Sequence, residues 1–528
     1  MARLRPWLPW LWVFAPIVCA ALAYVVVEPR TTDLAAQTFR SELFASHGFL
    51  IWNNYWYGGH YLLGYSVLFP PLGATLGIAV VGAASAVVAA VLFALLVQRD
   101  YSAHVRLATL WFGAGAIAMV CSGRLTFALG IPLGVGALLA LNRGRLAIAG
   151  LLAAATPLAS PVAGFFLLLF GASLVLTGSR VKGAVLAVAA LTPLAVMAVL
   201  FPVAGEEPFV GSSFRGTLVI ILLVFLALPR RERLLRLGTG LYAGAVVLAW
   251  AIPNAMGGNV VRLSNLAAGP VVALAVVGPR RRLILALLAL PLLYWQWQPA
   301  YRDVLAAKGD PSVERGFYSP LLSQLEKQTG GAPVRIEVPP TEHRWEARYV
   351  APEFPLARGW ERQRESEDFD LFKGDDLSPS SYLSWLRLHG VSYVALADAK
   401  LDYLAQREAE LIRDGLPYLV PVWSNEDWQL FAVRDPTGLA DGPVRVTAIG
   451  PDWFEAQVDR PGRYLLRIHY SRYWALSGVD ACLQEEGPWM ALDARAPGVV
   501  RVDTHFSLGA PLGRDRMCSS ASRAGSLP

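Results

Sequence analysis

The sequence predicts an α-helical polytopic membrane domain of about eleven spans, followed by a region of α/β and β-sandwich structure. Three observations lead to this prediction. Of the 528 residues, 55% are hydrophobic and 16% are charged, which is an apolar excess over soluble globular proteins. The apolar runs are concentrated in residues 7–298, and many approach the roughly 17–25 residues that a spanning helix needs. Residues 299–528 hold most of the acidic side chains and are expected to be soluble.

Eleven apolar runs are candidate spans, and several are short. They are residues 7–27, 66–98, 107–121, 125–141, 146–157, 161–177, 183–202, 214–228, 237–252, 263–278 and 283–298. The run at 66–98 is too long for one helix and too short for two, and Pro70, Pro71 and Gly82 interrupt it. A broken or re-entrant element followed by a full crossing is therefore predicted there.

Basic residues in the short loops predict the orientation, because such residues stay on the cytoplasmic side. One set of loops is rich in them: Arg3, Arg5, Arg99, Arg106, Arg143, Arg145, Arg180, Lys182 and the runs at 230–236 and 280–282. The opposite set carries only Arg30, Arg40, Arg124, Arg215 and Arg262. We therefore expect a multi-pass plasma-membrane protein with a cytoplasmic N-terminus, and with residues 28–66 and everything after residue 298 extracytoplasmic. A cleaved signal peptide over residues 1–27 is the competing interpretation.

The loop positions of the basic residues also explain the net charge of +6, so a nucleic-acid partner is not predicted. No Walker-type phosphate loop, dinucleotide Gly-rich fingerprint, paired Cys-x-x-Cys or His-Glu-x-x-His helix is present. ATP-driven transport, redox chemistry and zinc proteolysis therefore lose support. The spans also lack a chain of ionisable residues, which weakens a transporter interpretation.

The soluble half divides by pattern into a connector at 299–380, a small α/β unit at 381–440, a β-sandwich-like domain at 441–508 and a tail at 509–528 that is expected to be disordered. The connector is expected to be less regular, with one clear strand, "VRIEV". The α/β unit has a helix ending at Gly390, a strand "VSYVALA", a charged helix at 399–414 and two further strands. Cys482 and Cys518 lie in this half, where a disulfide is permitted, so they are either bonded or free thiols.

The membrane half resembles the GT-C glycosyltransferases, which transfer sugars from lipid-phosphate carriers. The resemblance rests on the layout and on the segments "PRTTD" at 29–33 and "GGHYLLGYSVLFPP" at 58–71. It implies a lipid-phosphate sugar donor, a glycan or glycolipid acceptor in the cell envelope, and a location in the lipid bilayer. The segments "RGWERQ" and "GVSYVALADAKLDY" look similar to uncharacterised actinobacterial membrane proteins, which names no reaction. This sequence has a single Asp at position 33 where some members have an adjacent acidic pair, so the requirement for a divalent cation cofactor stays open.

Asp33 is the candidate catalytic residue. In inverting members of the family a carboxylate at the membrane surface takes the proton of the acceptor hydroxyl. The alternative is structural, because Asp33 precedes a predicted helix that closes at Gly48 and could serve as its N-cap.

The candidate substrate contacts fall into two groups. The first is aromatic, with Trp56, Tyr57 and His60 in the loop at 28–66; such residues either belong to a membrane-interface belt or stack on sugar rings. The second would bind a phosphate: Asn259 and Arg262 follow Gly257-Gly258, whose backbone N–H groups are expected to be free just before a helix. Arg124 is a second candidate for the phosphate, and an ordinary loop is the alternative for the Gly-Gly segment.

Overall fold

The computed structural model describes residues 8–99, 101, 104–202, 205–275, 279–367, 371–372 and 376–507. The chain forms two compact units. The helical unit comprises the residues up to Gly48, Gly64–Ala198 and Pro202–Lys308, and the second unit comprises Phe49–Leu63, Val199–Phe201 and the chain from Gly309 onward. The aromatic segment Phe49–Leu63 therefore folds with the second half of the chain.

The helical unit contains helices α1 to α13. Their bounds are α1 (Leu8–Val27), α2 (Thr32–His47), α3 (Phe69–Leu76), α4 (Ile78–Val97), α5 (Val105–Cys121), α6 (Leu125–Asn142), α7 (Leu146–Ala159), α8 (Pro161–Leu176), α9 (Arg180–Leu200), α10 (Gly211–Ala227), α11 (Arg233–Ala251), α12 (Arg262–Ala275) and α13 (Pro279–Ala307). Among the described residues, α1, α4, α6, α9, α11 and α13 are long and apolar enough to cross a membrane, and α5, α7, α8 and α10 are shorter apolar helices. The chain is thus a multi-pass membrane protein with six long candidate spans, where the sequence predicted eleven.

The predicted break in the run at 66–98 is confirmed, but it lies at Gly77. This residue separates α3 from α4 with a φ of 88°, which favours glycine. Pro70 and Pro71 lie in the first turn of α3, where a missing N–H is tolerated. The prediction that Gly82 interrupts the run is wrong. Gly82 lies inside α4, and a Cβ there would approach Leu125 Cδ2 to 2.8 Å, so the glycine allows α4 to pack closely on α6.

Helices α12 and α13 are held together by polar contacts near the start of α12. Asn265 Nδ2 donates to the Trp295 carbonyl at 2.6 Å, and Trp295 Nε1 donates to Ser264 Oγ at 3.0 Å. Helix α12 also packs on α5, where a Cβ on Gly269 would overlap the Trp111 ring. These contacts fix the position of the first turn of α12.

The second unit begins with two short strands from the aromatic segment, β1 (Trp52–Asn53) and β2 (His60–Tyr61). Its other helices are α14 (Arg315–Thr329), α15 (Glu346–Tyr349), α16 (Pro379–Leu388) and α17 (Gln406–Asp414). A four-stranded sheet has the order β3-β4-β6-β5, with β3 (Arg335–Glu337), β4 (Val391–Ala397), β5 (Leu419–Ser424) and β6 (Trp428–Val433). Strand β3 is parallel to β4, and the other pairs are antiparallel.

Two sequence predictions in this unit are corrected. The connector contains the regular helix α14, whose buried residues Phe317, Leu321 and Leu325 recur every four residues along one face. The charged helix predicted at 399–414 begins only at Gln406. Before it, Asp402 Oδ1 accepts a hydrogen bond from the Leu404 backbone N–H at 3.1 Å, and this local turn replaces the first helical turn.

The β-rich region consists of two antiparallel sheets. One has the order β10-β13-β8-β7 and the other β11-β12-β9. Their strands are β7 (Val444–Ile449), β8 (Trp453–Val458), β9 (Gly462–Leu466), β10 (Trp474–Gly478), β11 (Ala481–Glu486), β12 (Trp489–Ala494) and β13 (Gly498–Thr504). Phe454 and Val500 of the first sheet share a core with Leu466 and Leu492 of the second. Cys518 and the tail at 509–528 lie outside the described residues, so the pairing with Cys482 and the disorder stay predictions.

Candidate functional site

Asp33 lies in the first turn of α2. Thr31 precedes the helix with extended backbone angles and is its N-cap residue, so the alternative that Asp33 is the N-cap is wrong. The helix ends before Gly48, as predicted. A carboxylate in the first turn is stabilised by the helix dipole. Because Thr31 occupies the N-cap position, Asp33 is not the residue that caps the helix.

The Asp33 carboxylate lies between two guanidinium groups. Its Oδ2 atom is 3.8 Å from Arg124 Nε and 3.7 Å from Arg262 Nη2. The side chains of Asp33, Arg124 and Arg262 are 23%, 18% and 12% exposed. Both distances exceed the hydrogen-bond range, so the groups interact through charge while the carboxylate oxygens stay open to another partner. The structure thus brings together three residues that the sequence singled out separately.

Arg124 reaches this position because of the turn that Gly123 makes after α5. Gly123 N donates to the Val120 carbonyl and Arg124 N to the Met119 carbonyl, which is a glycine-terminated helix end with φ of 74°. A Cβ on Gly123 would lie 2.6 Å from Thr31 Oγ1. The absent side chain therefore lets the turn before α6 approach the start of α2.

Arg262 is the first residue of α12, and its position is fixed by a buried tyrosine. The Tyr242 hydroxyl of α11 donates to the Val260 carbonyl at 2.8 Å and accepts from the Ser264 N–H at 3.3 Å. The Arg262 guanidinium also lies 5.8 Å from the centre of the Phe127 ring. These contacts direct Arg262 from the start of α12 towards the start of α6.

The prediction that the Gly257 and Gly258 N–H groups are free to bind an anion is wrong. Gly257 N donates to Asn254 Oδ1 at 2.9 Å, and Gly258 N donates to the Pro208 carbonyl at 3.3 Å. The two glycines belong to a 3₁₀ segment that runs directly into α12. Asn259 lies half-buried in the same segment, and its role as a substrate contact stays a prediction.

Arg302 and Asp303 at the end of α13 add to the charge around Arg124. Burial lowers the pKa of Arg124 and the charges of Arg262 and Arg302 lower it further, whereas Asp303 and Asp33 act in the opposite direction. Three arginines thus share this region with two carboxylates, so an added anion would relieve their mutual repulsion. Arg302 and Asp303 were not predicted as part of this cluster, because the apolar run ends at residue 298 although the helix continues to Ala307.

A polar row on α2 extends the site. Asp33, Gln37 and Arg40 are spaced by four and three residues, so they share one helical face. Gln37 Nε2 donates to the Tyr65 hydroxyl at 3.2 Å, and the Arg40 guanidinium lies over the Tyr65 ring at 4.0 Å. Burial raises the pKa of Tyr65, and the Asp33 charge raises it further. The sequence signal that could have predicted this row is the helical spacing of three polar residues in a helix that is otherwise largely buried.

The predicted aromatic contacts lie in the second unit and form a buried cluster of their own. The His60 ring stacks on Trp56 at 5.6 Å, and His60 Nε2 is 3.9 Å from Glu361 Oε1. Trp56 Nε1 donates to the Ala347 carbonyl, and the Tyr57 hydroxyl to the Glu361 carbonyl, both at 2.9 Å. Trp56 is fully buried, and Tyr57 and His60 nearly so. A sugar could reach these rings only after the segment moved, so their role in substrate binding stays a prediction.

An apolar cavity of about 510 Å³ lies between α3, α4, α6 and α7. Helix α6 lines it with a row at helical spacing: Leu129, Leu133, Gly136, Ala140 and Arg143. The row begins five residues after Arg124, which is about 7.5 Å along the helix axis. The volume of the cavity falls in the range of pockets that hold small-molecule ligands, about 300–1,000 Å³.

The comparison with solved structures gives a weak likeness. No family model matches the sequence, and no curated protein matches it. The fold is similar to a crystal structure of the Archaeoglobus fulgidus oligosaccharyltransferase tethered to an acceptor peptide containing the NVT sequon. The TM-score is 0.43 and the identity 12%, over 74% of this chain and 70% of that chain.

Proposed function

We propose that the protein is a GT-C-type membrane glycosyltransferase, which transfers a sugar from a polyprenyl-phosphate donor to an extracytoplasmic glycan or glycolipid. One observation carries the proposal. Asp33 at the start of α2 lies between Arg124, which precedes α6, and Arg262, which begins α12, and all three side chains are partly exposed. A carboxylate beside two guanidinium groups offers a proton acceptor and a phosphate site within one cluster.

The chemistry assigns separate tasks to the two kinds of side chain. Guanidinium groups match the geometry of phosphate oxygens and carry a fixed charge, so Arg124 and Arg262 hold the donor phosphate. Asp33 takes the proton of the acceptor hydroxyl while the oxygen of that hydroxyl attacks the anomeric carbon of the donor sugar. The bond between that carbon and the phosphate oxygen breaks, and polyprenyl phosphate leaves. The two arginines stabilise the negative charge that develops on the leaving group.

The apolar cavity offers a place for the polyprenyl tail. Its α6 row starts about one turn beyond Arg124 and continues to the opposite end of the helix. A lipid whose phosphate contacts Arg124 could therefore extend its tail along α6 in apolar surroundings. Burial of each methylene group of such a tail is worth about 0.8 kcal/mol.

A carrier or flippase of a lipid-linked substrate is the second candidate. Carriers place ionisable groups near the bilayer midplane. In the described helices, Asp33, Arg262, Arg302 and Asp303 all lie in a first or last turn or two, and Arg124 lies between two helices. This placement at helix ends supports the enzyme over the carrier.

The substitution Asp33→Asn tests the catalytic role. Thr31 remains the N-cap, and Asn is nearly isosteric with Asp, so we expect a folded protein. Loss of the proton acceptor should lower the rate of sugar transfer from a polyprenyl-phosphate donor by roughly 10²-fold or more. The control is Asp414→Asn, which removes an exposed carboxylate at the end of α17 and should transfer at the wild-type rate. Transfer is measured with purified protein in liposomes, and size-exclusion profiles check folding.

The outcomes separate the candidates. Wild-type transfer by folded Asp33→Asn would remove Asp33 from the mechanism. If the wild-type protein transfers no sugar but moves a lipid-linked substrate across the liposome bilayer, the carrier replaces the enzyme. If it does neither, a non-catalytic role in glycan assembly replaces both.

A further inference from the structure

Three metal-ligating side chains meet in the second unit, separate from the site around Asp33. One donor atom from each of Asp310, Glu342 and His343 lies within 4.8 Å of the others. His343 Nε2 and Asp310 Oδ2 are 3.8 Å apart, with side chains 2% and 4% exposed. Two ligands at about 2.0–2.2 Å from a tetrahedral zinc ion lie roughly 3.3–3.6 Å apart. His343 and Asp310 come within a few tenths of an ångström of that separation, and Glu342 needs a side-chain shift of at most roughly 1.5 Å.

The loop that carries Glu342 and His343 is held in place by hydrogen bonds at its start. Thr341 Oγ1 donates to Glu346 Oε2 at 2.7 Å, and the Glu342 N–H donates to the Lys400 carbonyl at 2.8 Å. Ligands on a fixed loop lose little conformational entropy on binding an ion. The backbone that carries the His343 and Glu342 side chains is therefore fixed before any ligand arrives.

Asp310 supplies the second, independent observation. Its Oδ1 accepts a hydrogen bond from the Ser312 N–H at 2.9 Å, which fixes the carboxylate plane. Its Oδ2 makes no hydrogen bond within the described part of the chain, although the residue is 92% buried. A buried carboxylate oxygen without a hydrogen bond costs free energy, and this oxygen faces His343 Nε2. A cation between the two side chains would satisfy the oxygen.

We propose that Asp310, Glu342 and His343 bind a divalent transition-metal ion of the zinc class. One imidazole and two carboxylates suit Zn²⁺, which takes nitrogen and oxygen ligands at about 2.0–2.2 Å in a tetrahedron. Ca²⁺ fits less well because it takes six to eight oxygen ligands. Three protein ligands leave the fourth position to water, and the ion ties residue 310 to the loop at 342–343. The site does not depend on the proposed sugar transfer.

Metal analysis of the full-length protein tests the proposal. The protein is purified without an affinity tag, stripped with EDTA, loaded with ZnCl₂ and desalted. We expect one equivalent of zinc, and a rise in thermal midpoint on loading that EDTA reverses. Asp310→Asn and His343→Gln should weaken zinc binding by more than about 10²-fold, because even outer partners of metal ligands contribute 10–100-fold. Asp414→Asn and His505→Gln, which change exposed side chains, should bind zinc as the wild type does.

Three results would overturn the proposal. The first is wild-type protein that retains no zinc and shows no thermal shift. The second is His343→Gln that binds zinc with unchanged affinity. The third is Ca²⁺ binding that is tighter than Zn²⁺ binding at the same residues. The thermal shift of the unaltered protein keeps the test decisive if a variant fails to fold.

Discussion

At the level of single residues, Arg124 and Arg262 lie within 4 Å of the same oxygen of Asp33 and interact with it through charge. If both hold one donor phosphate, their contributions to donor binding are coupled. We expect Arg124→Ala and Arg262→Ala each to weaken donor binding by about 1.5–3 kcal/mol, the usual value of a hydrogen bond to a charged group. The double variant should lose less than the sum, because the two groups share one partner. The measurement is the donor KM of the two single variants and the double variant.

Arg215→Ala is the control for this cycle, because Arg215 is exposed on α10. It should leave the donor KM unchanged. Strict additivity of the two single losses would mean that the arginines act on different groups, and a single shared phosphate site would then be wrong.

The buried carboxyl of Glu346 gives a second prediction for single residues. Burial raises the pKa of Glu346 to about 7, although hydrogen bonds from Thr341 and the charge of Arg344 act in the opposite direction. In the unfolded chain the pKa is about 4.3. Between these values the folded chain keeps a proton that the unfolded chain releases, so stability falls as pH rises through this window. The loss amounts to at most about 3–4 kcal/mol above pH 7.

Glu346→Gln should remove this loss, because Gln stays neutral and can still accept from Thr341. The thermal midpoint of the variant should rise relative to the wild type as the pH increases from 5 to 8. Glu410→Gln, at an exposed position on α17, should follow the wild-type curve. Parallel curves for Glu346→Gln and the wild type would contradict the raised pKa.

Residue types alone predicted part of the candidate site. Asp33, Arg124 and Arg262 stand out in the sequence because charged residues are rare among apolar runs. Their meeting depends on tertiary packing, which no local pattern encodes. Arg302 and Asp303 were missed because a helix that continues into polar sequence has no hydropathy signal.

At the level of elements, two glycines form a matched pair. Gly123 ends α5 and Gly144 ends α6, both with φ of 74° and the same hydrogen-bond pattern. A Cβ on Gly144 meets nothing within 4 Å, whereas one on Gly123 would lie 2.6 Å from Thr31 Oγ1 and 2.7 Å from the Leu34 N–H. The two substitutions therefore share the backbone penalty and differ in the contact with α2.

We expect Gly144→Ala to cost about 1–2 kcal/mol, the penalty of a left-handed backbone for a residue with a Cβ. Gly123→Ala should cost more and should also reduce sugar transfer, because the turn that carries Arg124 must move away from α2. Thermal midpoints and transfer rates of both variants give the comparison. Equal losses in the two variants would show that the approach of Gly123 to α2 is unimportant.

Helix positions were largely predictable because glycine, arginine and polar turns bound the apolar runs. The strands β4, β5 and β6 were also found, since each is a short apolar run between turn residues. The strands β10, β11 and β12 were missed. Their sequences mix polar and small residues, and their pairing in the two sheets gives them their structure.

At the level of the whole molecule, the segment Phe49–Leu63 belongs to the second unit. Its Trp52 ring packs on Trp474 at 5.4 Å, and Asn54 Nδ2 donates to the Gly450 carbonyl at 3.0 Å. Aromatic residues suit a membrane interface and a protein core equally well. The sequence therefore predicted a membrane-interface belt or sugar stacking for these aromatic residues. The contacts of the segment lie about four hundred residues away in the sequence, so no local pattern could predict them.

The topology is the last prediction, and the site gives it added support. In the predicted orientation, the start of α2, the turn before α6 and the start of α12 are all extracytoplasmic. Ion pairs join Asp33 to Arg124 and to Arg262, so these three segments meet on one face of the helical unit. Arg143 follows the other end of α6, in the loops that are rich in basic residues. Since basic loops stay cytoplasmic, we predict that the face that carries Asp33 is extracytoplasmic.

Reporter fusions check this orientation in living cells. An alkaline phosphatase fused after Lys308 should be active, because the enzyme needs the extracytoplasmic compartment for its disulfides. The same reporter fused after Arg231, between α10 and α11, should be inactive, and a fluorescent protein placed there should fold. Activity at both positions would contradict the order of crossings between α11 and α13. The reverse pattern would place Asp33 on the cytoplasmic face, and a donor presented from outside the cell would then be unable to reach it.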